Sequence, residues 1–203
     1  YLPLNYFIIK AAFNEGFLKN KIEVIEGKGT LVTPQSLDVI LKDGRKEKVE
    51  ATDIIIASGA GYRTFPGLKH DNKRLIGAWE ALAIEKLPKS VGIIGAGAIG
   101  VEFAYFWNAF GVDVHIFEMM PNLLPIEDTD SSVELEKAYK KYGIKMSLGV
   151  EKVQAKNNGP DVTITCVEKG KETKHQFEMG LIAVGMTGNI ENIGLEKIGV
   201  QTD

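Results

Sequence analysis

Two periodicities alternate along this chain. Short runs of β-branched and other apolar residues have strand length, and between them lie stretches whose apolar positions recur every three or four residues, as on one helix face. Residues 6–19, YFIIKAAFNEGFLK, carry the helical pattern, interrupted at Gly16. Strand-like runs follow: IEVIEG from Ile22, GTLVTP from Gly29, LDVIL from Leu37, and KEKVEA after KDGR, where Asp43-Gly44 marks a hairpin turn. TDIIIASG, residues 52–59, is an uninterrupted β-branched run, the pattern of a parallel strand covered on both faces. Gly61, Pro66 and Gly67 set a boundary near residue 62.

The pattern then changes to strands and helices in turn. AWEALAIEK predicts a short helix ending before Leu87-Pro88. A buried strand at 90–95 leads through a glycine-rich turn into a helix reaching about Phe110. Its predicted core face is Ile99, Phe103, Phe106, Trp107 and Phe110. DVHIF, 113–117, is the next strand, and MMPNLLPIED is a loop. DSSVELEKAYKKY, 130–142, is a helix with Asp130 or Ser131 as its cap and Gly143 beyond its end. Antiparallel strands follow, punctuated by Asn157-Asn158-Gly159 and Gly170, and the buried run GLIAVG closes the series at 180–185. This order predicts an α/β fold, Rossmann-like and three-layered: β-meander, parallel sheet, helices.

Composition removes several function classes. Charged residues are 25% of the 203, the formal net charge is −3, and Lys and Arg are scattered, so no basic surface for nucleic acid is expected. No apolar stretch approaches the ~18 residues of a membrane span, and the opening lacks a basic leader and a cleavage site. Cys166 is the single cysteine, which rules out an internal disulfide and reads as a strand thiol suited to a reducing compartment. His70, His115 and His175 stand at no recognised ligand spacing, so no metal is expected. The chain opens on Tyr1 and stops at GVQTD, and it reads as a piece of a longer protein.

The chemistry concentrates at the glycine-rich turn. Gly95-Ala96-Gly97-Ala98-Ile99-Gly100 is a G-x-G-x-x-G between a predicted strand and a predicted helix. In that context Gly95 allows the tight turn, Gly97 lets backbone approach a diphosphate, and Gly100 lets the helix pack on the sheet. The free N–H groups at the helix start then face the anion. The next predicted strand leads to Glu118, where an acid accepts hydrogen bonds from ribose hydroxyls. A 2′-phosphate there would meet like charge, and no Lys or Arg occurs from Met119 to Glu136 to offset it. These residues predict NAD rather than NADP.

The flanking segments narrow the reading. GAGAIGVEFA carries Glu102 just past the last glycine, TDIIIASGA precedes it, and LIAVGMTGNIENIGLEKIGV follows it. Together they resemble the flavin-dependent pyridine nucleotide–disulfide oxidoreductases, most closely the branch acting on dihydrolipoamide. The resemblance covers roughly residues 17–203. It implies that 1–62 is the later part of an FAD-binding domain, 63–187 an NAD-binding domain, and 188–203 the start of a central domain. It also implies that Gly95 to Gly100 and Glu118 hold NAD, with Glu102 near the nicotinamide, Val153 beside the adenine, and Gly185 closing the pocket. Gly29, Ser58, Gly59 and Ala60 would lie along FAD. The family's redox cysteine pair does not occur here, so no catalytic residue is expected in this segment.

The whole enzyme would then be a cytoplasmic or mitochondrial-matrix homodimer taking dihydrolipoamide from a 2-oxoacid dehydrogenase complex or the glycine cleavage system. An NADH oxidase, a mercuric-reductase-like sibling, and a non-catalytic NAD(H)-binding redox sensor stay open as alternatives. The common GRxPN stretch is here Gly185-Met186-Thr187-Gly188-Asn189, without its arginine.

Overall fold

The computed structural model describes residues 16, 17 and 19–202. The helix expected over 6–19 therefore lies almost entirely outside the described residues. The chain divides into two compact units: Ala60–Gly188, and the residues up to Gly59 together with those from Asn189.

In the first unit, β5 (Leu75–Ile76), β6 (Ser90–Ile94), β7 (Asp113–Glu118), β8 (Lys145–Leu148) and β12 (Met179–Ile182) form one parallel sheet in the order β5-β12-β6-β7-β8. Successive side chains of a strand point to opposite faces. Val91, Ile93, Val114, Ile116 and Leu181 accordingly pack with Val101, Ala104, Trp107 and Tyr139 in one core. Ile94, Phe117 and Ile182 pack with Val153, Val162, Ile164, Cys166 and Phe177 in a second. The second core lies against an antiparallel meander of β9 (Glu151–Asn157), β10 (Val162–Glu168) and β11 (Lys171–Phe177). Burial on both faces explains why these strands read as continuous apolar runs. The result is the expected three-layer α/β fold.

Helix α1 (Ala78–Ala81) ends well short of the predicted 78–86, although Ile84 beyond its end still packs against the core. Helix α2 (Ala98–Ala109) has the expected span but a partly different buried face. Gly100, Val101, Ala104 and Trp107 are buried, whereas Phe106 and Phe110 are 50% and 63% exposed. Gly100 and Ala104 face the sheet because the helix packs close to it; Trp107 is buried and Phe103 packs on the core as expected, and Phe106 and Phe110 turn outward. Helix α3 (Thr129–Tyr142) is capped by Asp128, two residues before Asp130 and three before Ser131, the expected caps. The Asp128 carboxylate accepts from the amides of Asp130 and Ser131 at 2.9 and 3.4 Å. Gly143 ends the helix in the left-handed region, as predicted. The Tyr139 hydroxyl donates to the Val101 carbonyl at 2.6 Å, tying α3 to α2. Burial, assisted by the nearby Glu102 charge, pushes that phenol up to about 12 and keeps the donor protonated. A two-stranded ribbon of β4 (Ala60–Tyr62) and β13 (Met186–Gly188), absent from the sequence reading, closes the unit.

The second unit holds a meander of β1 (Gly27–Thr33), β2 (Ser36–Leu41) and β3 (Lys46–Glu50), with Leu31 and Val39 buried. IEVIEG does not form a strand before Gly27. The buried strand expected at 52–59 is also overturned: the segment has no strand pairing, and Ile55 is 90% exposed. A β-branched run becomes a strand only where a neighbour supplies hydrogen bonds, and among the described residues none lies beside it.

Candidate functional site

The G-x-G-x-x-G lies where the carboxyl ends of β12, β6 and β7 meet. Gly95 donates to the Phe117 carbonyl at 2.9 Å, and Ala183 donates to the Ile94 carbonyl at 2.7 Å. This is the point at which strand order reverses on either side of β6, the usual ligand crevice of a parallel α/β sheet.

The three glycines have three different reasons. Gly95 has φ +103°, and a Cβ there would sit 2.4 Å from the Ala183 carbonyl oxygen. A Cβ on Gly100 would sit 2.0 Å from the Gly95 carbonyl oxygen, so its hydrogen is what lets α2 lie against the turn. Gly97 is the N-cap of α2 with φ −70° and ψ −177°, backbone that any residue adopts. Nothing lies within 4 Å of a Cβ placed on it. Neither backbone conformation nor internal packing accounts for glycine at 97. The open space lies beside the start of α2, whose first amides have no intrahelical acceptor.

Ala96 and Ala98–Ile99 complete the turn, with Ala96 fully buried and its carbonyl accepting from the Leu124 amide at 2.8 Å. Glu118 ends β7 and is 9% exposed. Its Oε2 accepts from the Ala96 amide at 2.7 Å and its Oε1 from the Met120 amide at 2.8 Å. The carboxylate therefore stands directly beside the glycine-rich turn, and each oxygen keeps a further acceptor site. The Val150 amide donates to the Glu118 carbonyl at 3.0 Å, which ties the start of β9 to the same corner.

Gly185 follows β12 with φ +113°, a conformation that favours glycine. Its carbonyl accepts from the Arg63 amide at 3.0 Å, and the Arg63 guanidinium lies about 4.0 Å from where its Cβ would stand. The sequence reading missed Arg63, whose partner is more than a hundred residues away across the β4–β13 ribbon. Val153 is 7% exposed and its side chain belongs to the meander core, so what it offers a ligand is backbone. Glu102 is exposed on α2 and lines a groove of about 390 Å³ with Leu82, Ile84, Phe103, Phe106 and Phe110.

The second group of predicted residues lies on other segments. Gly29 is in β1, where a Cβ would meet Leu37 at 3.0 Å. Gly59 has φ +80°, and Asn189 brackets it, donating from its amide to the Gly59 carbonyl at 2.9 Å and from its side chain to the Ser58 carbonyl at 3.2 Å. Ala60 begins β4. Among the described residues no helix is long and apolar enough to cross a membrane.

Comparison with known proteins adds three findings. Residues 9–203 match the pyridine nucleotide-disulphide oxidoreductase family. The dihydrolipoyl dehydrogenase of Zymomonas mobilis is 40% identical over 187 residues, which is 91% of this chain and 40% of that protein. That of Mycobacterium tuberculosis H37Rv is 40% identical over 182 residues, 90% of this chain and 39% of that protein. The chain thus spans about 40% of the length of the curated relatives it matches. Among solved structures, LpdA from Mycobacterium tuberculosis aligns with a TM-score of 0.81 at 24% identity over 95% of this chain and 43% of its own. The HOCl-induced flavoprotein disulfide reductase RclA from Escherichia coli aligns at 0.73 with 25% identity over 93% and 44%.

Proposed function

Because the chain belongs to the pyridine nucleotide-disulphide oxidoreductases, we propose that it is the NAD-binding segment of a flavoprotein that oxidises dihydrolipoamide with NAD. The observation that carries this reading is Gly97 and the open space above it. A residue with ordinary φ and no internal neighbour is glycine because something outside the chain must approach its backbone, and the first amides of α2 are matched to a diphosphate. Glu118, held by two backbone amides, presents its remaining lone pairs to the ribose hydroxyls and repels a 2′-phosphate, which favours NAD. Val153 lines the adenine end through its backbone, Gly185 closes the pocket, and Glu102 faces the nicotinamide end. Arg63, beside Gly185, supplies the cation that Met186 cannot.

FAD is assigned to Gly29, Ser58, Gly59 and Ala60, in a domain covering 1–62, with 63–187 binding NAD and 188–203 entering a central domain. The flavin, when bound, carries the electrons between substrate and nicotinamide. This segment's own part is to bind NAD, orient it, and exclude water from it. The dithiol chemistry belongs to the rest of the subunit, since Cys166 is the one cysteine here. In this reading the whole enzyme is a homodimer in the bacterial cytoplasm or the mitochondrial matrix. Its substrate is carried on a 2-oxoacid dehydrogenase complex or the glycine cleavage system.

Calorimetric titration of NADH into the chain tests the reading. The expected outcome is saturable binding, stronger than that of NADPH, and weakened by more than roughly tenfold in Gly97→Val, because the added side chain fills the diphosphate position. A folded Gly97→Val variant that binds NADH as the unmodified chain does would overturn it.

A further inference from the structure

On the far side of the parallel sheet from α2, the β10–β11 hairpin gathers a second set of chemical groups. Cys166 pairs with Thr173, and Ile164 with His175, so alternate residues of both strands share the inner face. Cys166 is fully buried, while the Glu168 and His175 side chains are 29% and 26% exposed at the rim. The Cys166 Sγ, a Glu168 carboxylate oxygen and a His175 ring nitrogen all lie within 4.8 Å of one another. Sγ is 3.6 Å from Glu168 Oε1, and His175 Nε2 is 3.2 Å from that same oxygen. The Thr173 hydroxyl stands 3.4 Å from Sγ and 3.3 Å from Nε2.

We propose that Cys166, Glu168 and His175 form a zinc(II) site, with the Thr173 hydroxyl at its fourth corner. Tetrahedral zinc with bonds of about 2.0–2.3 Å sets neighbouring ligand atoms about 3.3–3.6 Å apart. The Sγ–Oε1, Nε2–Oε1 and Thr173 separations of 3.2–3.6 Å fall at or near that range, and Sγ and Nε2 lie within 4.8 Å of each other. The mixed sulfur, nitrogen and oxygen donors select against magnesium and calcium, which take oxygen ligands. On binding, the Cys166 thiol loses its proton to solvent and the thiolate takes the metal. The outer partners are also present: Ser147 donates to Glu168 Oε1 at 2.9 Å, and His115 Nε2 lies 2.9 Å from the Ser147 hydroxyl. Such groups orient a ligating carboxylate. Phe117 packs its ring 5.0 Å from that of His175 and screens the inner side. The ion would pin the two strands of the hairpin together near their turn at Lys169-Gly170.

The test uses the untagged chain under reducing conditions in a buffer that does not bind metal, without nucleotide, so it is independent of the NAD assignment. Equilibrium dialysis against zinc chloride is expected to give one zinc per chain and a raised melting temperature. Cobalt(II) is expected to give a thiolate-to-metal charge-transfer band with tetrahedral visible bands, a readout that needs no variant. Cys166→Ser and His175→Gln, with folding verified by circular dichroism, should each weaken zinc binding by more than roughly tenfold, and Ser147→Ala by about tenfold. Substoichiometric zinc, cobalt spectra without a thiolate band, or unchanged affinity in a folded Cys166→Ser variant would each reduce the cluster to a hydrogen-bond network and overturn the proposal.

Discussion

Single residues in this chain are placed by particular contacts, and Asp71 is the clearest acid among them. Its Oδ1 accepts from the amides of Lys73, Arg74 and Leu75 at 2.8–2.9 Å, and its Oδ2 accepts from Asn157 at 2.6 Å. Partial burial acts to raise its pKa, but the Asn157 hydrogen bond and the three amides outweigh it and hold the carboxyl at about 2. The folded value lies below the unfolded one, so this contribution is complete above about pH 4 and is lost as pH falls toward about 2. Asp71→Asn should therefore lower the melting temperature at neutral pH, and the gap to the unmodified chain should close between pH 4 and 2. A gap that stays constant across that range would show that charge is not what Asp71 contributes.

At the scale of elements, the end of α3 tests how the helix is set. Asp128→Ala removes the cap on the Asp130 and Ser131 amides and should destabilise the unit by about 1 kcal/mol, or about 2–4 °C in melting temperature. No change would mean that water replaces the cap without loss. The sequence led to Asp130 or Ser131 because the apolar period begins late in this helix, and a cap is recognised relative to that period. Strands β6, β7 and β12 were legible for a stronger reason: both faces are covered, so Val91, Ile93, Ile94, Val114, Ile116, Phe117, Leu181 and Ile182 are all apolar, whereas the short edge strands β5 and β8 were not read as part of the sheet. Amphipathic α2 was legible in span and only partly in face: Trp107 and Phe103 meet the core as expected, but Gly100 and Ala104 contact the sheet and carry no hydrophobic signal, while Phe106 and Phe110 are exposed. The pairing of Glu118 with the glycine-rich turn follows from local order, β6 to α2 to β7. The gathering of Cys166, Glu168 and His175 depends on hairpin register, which residue spacing alone does not encode.

Over the whole molecule, the largest mismatch between sequence and structure is the run 52–59. Ile55 is 90% exposed and Ile56 45%, in a pattern suited to a strand buried on both faces. The chain spans about 40% of its curated relatives, so the proposed remainder of the FAD-type domain is the natural cover for this run. That assignment makes the effect of one substitution depend on context. In the 203-residue chain, Ile55→Asp should leave the melting temperature unchanged and reduce self-association in sedimentation velocity, because it breaks an exposed apolar patch. In the full-length subunit the same change buries an unpaired carboxylate, so it should cost several kcal/mol and release FAD. The difference between the two contexts isolates the cover, since any intrinsic effect of aspartate at position 55 is common to both. Equal and small effects in the two proteins would mean that the run faces solvent in the full-length protein as well, and would remove residues 52–59 from the proposed flavin domain.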